Sequence, residues 1–175
     1  MGSRELQLRP LQTGDIDVLA SWAADAVFCE RAGWRSDGDV ERVQRFWSAQ
    51  VEGPAPGLIR LGAVSGRELI GYADLRGYGE VRELGYVVGP SSRWGRGLGG
   101  QLARAALRFA FSELELSGVT AASLESNLAS MRILRSIGMA EVGIDEAGRL
   151  ASAPSRHVLF RLSRDDWRAQ ELATI

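Results

Sequence analysis

The feature that most constrains this chain is a glycine-rich turn between a predicted strand and a predicted helix. The strand ELGYVVG (83–89) runs into PSSRWGRGLGG (90–100), and QLARAALRFAF (101–111) follows with helical spacing. Glycine lacks a Cβ, so the backbone of such a turn can approach a ligand closely, and the free N–H groups and dipole of the following helix add positive potential. The segment therefore predicts an anion site of the kind that binds phosphate groups.

Three kinds of phosphate site are compatible with glycines in such a turn. Gly95, Gly97 and Gly100 match the dinucleotide fingerprint G-x-G-x-x-G, but an extended half of the chain precedes them and Glu125 lies too far downstream to be the usual ribose acid. A nucleotide-triphosphate loop needs a lysine after its last glycine, and this chain contains no lysine. The third interpretation is a coenzyme A pyrophosphate loop, which is entered from an antiparallel strand.

Composition predicts one compact domain over residues 1–175. The chain is 45% hydrophobic, which is enough for a substantial core, and no linker or repeat divides it. Its net charge of −1 gives no general attraction to nucleic acid or to a membrane. The single cysteine, Cys29, and the lack of a long apolar stretch favour a reducing cytoplasm, with Cys29 in a packing role. No metal site is predicted.

The hydrophobic pattern predicts an α+β order. Asp15 is expected to cap a first helix, and Val40, Val43, Trp47 and Val51 share one face of a second. Short β-rich runs between residues 58 and 89 suggest an antiparallel meander. The predicted later elements are the long helix from Leu98, a strand at 119–126, a short helix at 128–137, and strands at 140–145 and 157–162.

The chain resembles the GNAT superfamily of N-acetyltransferases over nearly its whole length. The resemblance is carried by RPLQTGDIDVLASWAAD, GYVVG, SSRWGRGLGGQL and NLASMRILRSIGM. It implies a mixed, mainly antiparallel sheet with helices on both faces and a splayed strand pair that binds acetyl-coenzyme A. The Trp-Gly-Arg-Gly turn and Asn127-x-x-Ser130 are similar to the branch with Rim-type ribosomal-protein N-terminal acetyltransferases and some aminoglycoside 6′-N-acetyltransferases.

The resemblance also implies where the cofactor lies. The pyrophosphate is expected on the amides of Arg96–Gly100 and the pantetheine along Val87 and Val88. The chain departs from the family at Trp94, where many members have Gln or Arg, so Arg93 or Arg96 is expected to supply that charge. The expected cofactor contacts are Val87, Val88, Arg93, Trp94, Gly95, Arg96, Gly97, Leu98, Gly99, Gly100, Asn127 and Ser130.

Amine attack on a thioester needs a base, a stabilised oxyanion and a proton for the leaving thiolate. Glu83 is the preferred base because strand alternation places it on one face with Gly85 and Val87. Asp74 and Glu125 are the other carboxylates on predicted strands. All three acids could instead be surface residues or ion-pair partners of arginines. From the resemblance, the N–H of Val88 stabilises the oxyanion.

Ser130 is the expected acid. The family's tyrosine acid would fall at Leu134, so it is missing, and Ser130 shares the predicted apolar face of its helix. It is expected to contact the coenzyme sulfur, although a serine at a helix N-terminus can instead bond its own backbone. Asn127 is either the cap of that helix or a pantetheine contact, or both.

The predicted function is acetyl transfer from acetyl-coenzyme A to a primary amine. The preferred acceptor is a peptide or protein N terminus, and the alternative acceptor is an aminoglycoside or polyamine-like amine. The candidate acceptor contacts are Glu30, Trp34 and Asp74, with a purely hydrophobic anchor as the other interpretation of Trp34. A non-catalytic coenzyme A binding module and a nicotinamide-dependent oxidoreductase stay as other classes. The protein is expected to act as a monomer or homodimer.

Overall fold

A computed structural model describes residues 6–35, 37–145 and 156–173 of the chain. The strands in this part are β1 (Gln7–Pro10), β2 (Leu58–Ser65), β3 (Glu68–Arg76), β4 (Val81–Val88), β5 (Gly118–Leu124), β6 (Ala140–Asp145) and β7 (His157–Ser163). The helices are α1 (Ile16–Ser21), α2 (Ala26–Ala32), α3 (Val40–Glu52), α4 (Leu98–Arg108), α5 (Leu128–Ser136) and α6 (Arg164–Ala173). A π-helical turn, Phe109–Glu113, extends α4.

The described strands form a mixed sheet in the order β1-β2-β3-β4-β5-β7-β6. β1 pairs antiparallel with β2, and β7 pairs antiparallel with both β5 and β6. β4 and β5 run parallel, which requires a crossover connection, and α4 provides it. The predicted α+β class and the mainly antiparallel sheet are confirmed.

The first of two compact units contains the chain up to Asp74 together with Tyr86–Leu102. Helices cover both faces of its part of the sheet. Trp47 of α3 packs on Tyr72, with ring centroids 5.2 Å apart, and Leu102 of α4 lies beside Gly71. Successive strand residues point to opposite faces, so α3 and α4 lie on opposite sides of β3. The core of this unit is rich in aromatic rings, including the buried Trp22 and Phe28.

The second unit contains Leu75–Gly85 and the chain from Ala103 onward. Its buried strand residues include Val119 and Phe160, and Trp167 of α6 stacks on Phe111 with ring centroids 5.1 Å apart. This stacking packs α6 against the extension of α4. The pattern analysis did not predict α6 itself, because its surface is largely polar.

The parallel pairing of β4 with β5 is short. In the described residues its register runs from Val81 with Gly118 to Glu83 with Thr120 and then ends. β5 continues its pairing with β7 as far as Leu124. The two strands therefore separate after three pairs, as expected for a splayed pair. The assignment of residues 1–175 to one domain stays a prediction.

Local differences from the predicted order have clear causes. Between the first two predicted helices the chain has a further helix, α2, because Asp25 caps it by accepting a hydrogen bond from the N–H of Phe28. Cys29 is fully buried in this helix, and burial raises the pKa of its thiol, so the packing role is confirmed. Across the described ranges, no helix combines the length and hydropathy needed to cross a bilayer.

Asp15 has a different role from the helix cap that was predicted. Its side chain makes no capping bond to α1. The two carboxylate oxygens instead accept hydrogen bonds from both terminal nitrogens of Arg9, at 2.7 and 2.8 Å, and one also accepts from the N–H of Gln12. Burial alone would raise the pKa of Asp15, but the hydrogen bonds from Arg9 and Gln12 outweigh it and lower the pKa.

We predict that Asp15→Asn destabilises the fold by about 1–3 kcal/mol at neutral pH, because an amide cannot accept both Arg9 donors. The folded-state pKa of Asp15 is lowered, so its contribution is present above the unfolded pKa, about 3.9, and is lost as the pH falls through the folded pKa. Urea denaturation from pH 7 to pH 3 should show the difference between variant and wild type narrowing in acid.

Asp17→Asn is the matched control, since Asp17 is exposed and accepts one hydrogen bond from Gln44, which an amide oxygen can also accept. A loss of stability that is the same at both pH values, or the same in the two variants, would contradict the role given to the Arg9 pair.

Candidate active site

The C-terminal end of β4 depends on a missing side chain on β3. A Cβ at Gly71 would lie 2.1 Å from the carbonyl oxygen of Val87, which is closer than Cβ atoms approach backbone atoms in proteins. It would also lie 3.1 Å from the side chain of Leu102. Only glycine fits here. Because the peptide group is planar and trans, the N–H of Val88 points away from Gly71 when the carbonyl of Val87 points toward it.

Two side chains from the following turn hold this strand end in place. The indole N–H of Trp94 donates to the carbonyl of Val88 at 2.7 Å. Arg93 donates to the carbonyls of Gly89, at 2.7 Å, and Leu69, at 2.8 Å, and also pairs with Glu68. The guanidinium of Arg93 is thus committed to protein acceptors, which corrects its expected role as a phosphate ligand. Trp94 keeps 38% of its surface exposed.

The start of the turn is fixed to α2 by Asp25. One carboxylate oxygen accepts from the N–H of Ser91 at 2.8 Å while the other caps α2. Hydrogen bonds from Ser91, and then from Phe28, lower the pKa of Asp25. A Cβ at Gly89 would lie 2.6 Å from the ring of Trp22, so this position also requires glycine. The segment between β4 and the glycine-rich turn is therefore tightly packed.

The glycine-rich turn presents unpaired backbone donors. Gly95 and Gly97 both have φ of +76°, a left-handed conformation that favours glycine. The N–H of Gln101 donates to the carbonyl of Gly97 at 3.2 Å, whereas in the described part of the chain the amides of residues 96–100 have no acceptor. Arg96 is exposed and forms no ion pair with any described residue. These amides and one free cation form a cradle that suits a pyrophosphate.

Glu83 has a solvent-accessible carboxylate. Its Oε1 lies 3.8 Å from Nη1 of Arg76, and 36% of its side chain is exposed. A pair of exposed charges at this distance is weak. Glu83 is therefore free enough to meet a substrate, and the pairing with Arg76 is the alternative that the sequence had left open.

Asn127 and Ser130 lie together at the start of α5. Asn127 is the N-cap, and its Oδ1 accepts from the N–H of Ser130 at 3.1 Å, so the capping alternative is confirmed. The buried face of α5 is formed by Met131, Leu134 and Ile137. Ser130 is half-buried at the edge of this face, less far inward than predicted, because Met131 occupies the central position. Glu125 lies in the turn after β5 and pairs with Arg156 at 3.3 Å.

Asp74 is not available to an acceptor, contrary to expectation. It is 1% exposed, and its two oxygens accept from Nε and Nη2 of Arg60 at 2.6 and 2.7 Å. The Arg60 guanidinium lies over the rings of both Trp47 and Tyr72, 5.2 and 5.1 Å from their centroids. Burial alone would lower the pKa of Arg60, but Asp74 raises it above its usual value. The pair is a structural core element that no local sequence signal reveals.

Arg60 of this pair lines a cavity of about 330 Å³, here called the aromatic pocket. It is lined by Gly33, Trp34, Arg35, Arg42, Val43, Phe46, Trp47, Arg60 and Tyr72. Trp34, an expected acceptor contact, therefore lies in a pocket wall, and it also packs on Phe28 with ring centroids 4.9 Å apart. Glu30 is exposed on α2 and does not line the pocket.

Comparison with known proteins separates the three interpretations of the turn. The sequence profile of the acetyltransferase (GNAT) domain family matches residues 5–140. An acetyltransferase of this family from Bacillus anthracis superposes with a TM-score of 0.77 at 18% identity, over 94% of this chain and 98% of that one.

Two solved structures that contain coenzyme A are also similar. The aminoglycoside acetyltransferase AAC(6')-Ib has a TM-score of 0.78 at 22% identity, over 95% of this chain and 99% of that one. Spermidine N-acetyltransferase from Vibrio cholerae, solved with coenzyme A and spermine, has a TM-score of 0.78 at 15% identity and the same coverage. The coenzyme A interpretation of the turn is the one that these findings support.

We predict that Gly71→Ala destabilises the protein by about 1–3 kcal/mol, because the new methyl group must displace the carbonyl of Val87. Gly118→Ala is the matched control, because its new Cβ would lie 3.5 Å from its nearest neighbour, which is an ordinary contact. Alanine in place of glycine in a strand can raise the free energy of unfolding by up to about 1 kcal/mol. Urea denaturation of both variants measures the difference. Equal effects at the two glycines would argue against a close approach at Val87.

Proposed function

The chain belongs to the acetyltransferase (GNAT) domain family, and from this membership we propose that it transfers the acetyl group of acetyl-coenzyme A to a primary amine. The observation that carries the proposal is the row of unpaired amides at residues 96–100, in the turn that follows β4, whose end is fixed by Gly71 and Trp94. Such a row is matched to an anion with several oxygens.

Acetyl-coenzyme A supplies the acetyl group as a thioester. We propose that its pyrophosphate is held by the amides of residues 96–100 and by Arg96, and that its pantetheine follows Val87 and Val88. Two features support this: Gly95 and Gly97, at the start of the cradle, have positive φ, and Arg96 is an exposed cation without an ion pair in the described residues. The ring of Trp94, whose N–H is already engaged, is available only for van der Waals contact with the cofactor.

We assign the reaction steps to three groups. The amine nitrogen bonds to the thioester carbonyl carbon, the C–S bond breaks, the amine loses one proton and the sulfur gains one. Glu83 is proposed to receive the amine proton, directly or through a water, and Ser130 to donate a proton to the sulfur. The N–H of Val88 is proposed to stabilise the negative charge on the carbonyl oxygen, supported by its direction away from Gly71.

For the acceptor, a peptide or protein N terminus is our leading proposal and a small-molecule amine is the second. Two similar structures are an aminoglycoside and a spermidine acetyltransferase, which act on small amines. They support a small-molecule acceptor only through the shared fold. The aromatic pocket is of a size that takes a small molecule or the first residues of a peptide. A coenzyme-dependent thiol-release screen over peptides, amino acids, aminoglycosides and polyamines tests this directly.

We predict that coenzyme A binds in the micromolar range or tighter, and that NAD and ATP do not bind measurably. Arg96→Ala should weaken coenzyme A binding roughly three- to tenfold, with a smaller effect at high salt because the contact is exposed. Arg67→Ala, which removes another exposed arginine of the same unit, should leave it unchanged. Calorimetry that shows NAD binding, or equal affinity for the wild type and the Arg96 variant, would refute the assignment of the cradle.

We predict that Glu83→Gln keeps coenzyme binding but lowers kcat most at acid pH. Reference pKa values of about 8 for an α-amino group and about 10.4 for lysine mean that few acceptor amines are neutral there, so a base matters most. Ser130→Ala should lower kcat about 10- to 1,000-fold without this pH dependence. Both are measured as kcat and KM from acid to alkaline pH once an acceptor is known.

Glu80→Gln, an exposed carboxylate just before β4, is the control and should behave as wild type. If Glu83→Gln raises KM more than it lowers kcat, Glu83 attracts a cationic acceptor and is not the base. Wild-type turnover in Ser130→Ala would leave water as the acid.

A further inference from the structure

The charged groups that line the aromatic pocket are all cations. Arg35, Arg42 and Arg60 reach its wall, and no carboxylate is among the lining residues that the structure describes. The nearest acids are already engaged: Asp74 holds Arg60, and Asp37 accepts from Arg42 at 2.8 Å. The pocket surface is thus rich in hydrogen-bond donors and poor in acceptors.

Not all of these donors are used within the protein. Arg35 is exposed and has no ion pair with a described residue, and Nη1 of Arg42 has no hydrogen-bond acceptor among them. Two buried donors near the pocket also lack a hydrogen bond in the described chain: Nε of Arg42, which lies 3.9 Å from a carboxylate oxygen of Asp39, and Nε1 of Trp47. Buried donors without partners are costly, so the site favours a ligand that brings oxygen acceptors.

The apolar part of the pocket is flat. Trp34 and Phe46 form its outer wall, and Phe46 keeps 49% of its surface exposed although it is aromatic. Flat rings of this kind bury the planar or apolar body of a ligand. Tyr72, which lines the pocket, follows Gly71 in the sequence, and Gly71 lies against the carbonyl of Val87 at the end of β4.

We propose that the aromatic pocket binds an acceptor amine through its carboxylate and its apolar side chain. The acceptor is then an amino acid or a short peptide with a carboxylate near its amine, and not a polycation. A polyamine or aminoglycoside would bring two or more positive charges to a wall whose charged groups are arginines, since the aspartates paired with Arg42 and Arg60 do not line the pocket. Like charges brought together at an interface disfavour binding. This inference rests on the proposed function, because that function makes the ligand of this pocket the acceptor.

The test uses three probes in calorimetry with coenzyme A present: L-phenylalanine, its amide, which has the same shape without the carboxylate, and spermidine. L-phenylalanine should bind, its amide should bind roughly three- to tenfold more weakly, and spermidine should bind no better than the amide. Arg35→Glu should lower the affinity for L-phenylalanine by a similar factor and remove its advantage over the amide. Arg35 is exposed and makes no hydrogen bond with a described residue, so the fold should tolerate the change.

Arg45→Glu is the matched control, because Arg45 is an exposed arginine of α3 that does not line the pocket, and it should bind all probes as the wild type does. The inference is overturned if L-phenylalanine does not bind, if the amide binds equally, if spermidine binds better, or if Arg35→Glu has no more effect than Arg45→Glu. Arg35-dependent binding without acetyl transfer to any amine would refute the proposed function alone. Efficient acetylation of spermidine, insensitive to Arg35→Glu, would refute this inference alone.

Discussion

The approach of the Val87 carbonyl to Gly71 is the contact on which the site depends. A strand in a regular ladder directs its carbonyl and N–H groups to its neighbours and leaves none for a ligand. At Val87 the carbonyl lies instead over a residue without a Cβ. The carbonyl of Val87 can take this direction only because residue 71 is glycine. Because the peptide group is planar, the N–H of Val88 then points the opposite way. A substitution on one strand therefore controls which backbone groups the next strand can offer.

The groups around this contact are arranged to keep it. Trp94 binds the carbonyl of Val88, Arg93 binds that of Gly89, and Asp25 receives the N–H of Ser91. Three consecutive peptide groups are thus fixed by side chains before the chain enters the glycine-rich turn. The turn itself is left with unpaired amides. A strand end that is held in place beside a turn with unpaired amides is the arrangement expected of a preorganised anion site. The backbone donors are already in position, so binding does not have to order them.

Much of the fold could be predicted because its signals are local. The period of Val40, Val43 and Trp47 indicates α3, and β2 matches its predicted limits. The site was only partly predictable, because its key contacts join distant residues. Arg60 and Asp74 lie fourteen positions apart on different strands, and nothing near Arg93 indicates that carbonyls from two strands occupy it. A glycine inside the apolar run of β3 was the one local signal of a close approach, and it is recognisable only in retrospect.

In our proposal the glycine-rich turn and the aromatic pocket serve different parts of the reaction. The turn and the strand end are proposed to hold coenzyme A, a ligand that two similar structures contain. The aromatic pocket is built from residues of α3, of the segment before it and of strands β2 and β3, and two of its three arginines are paired with aspartates. A scaffold does not fix a substrate, so a fold that is similar to that of a spermidine acetyltransferase is compatible with our proposal that this pocket disfavours polycations. Under that proposal the choice of acceptor depends on the charged side chains that line the pocket, and the scaffold determines only where the acetyl group is held.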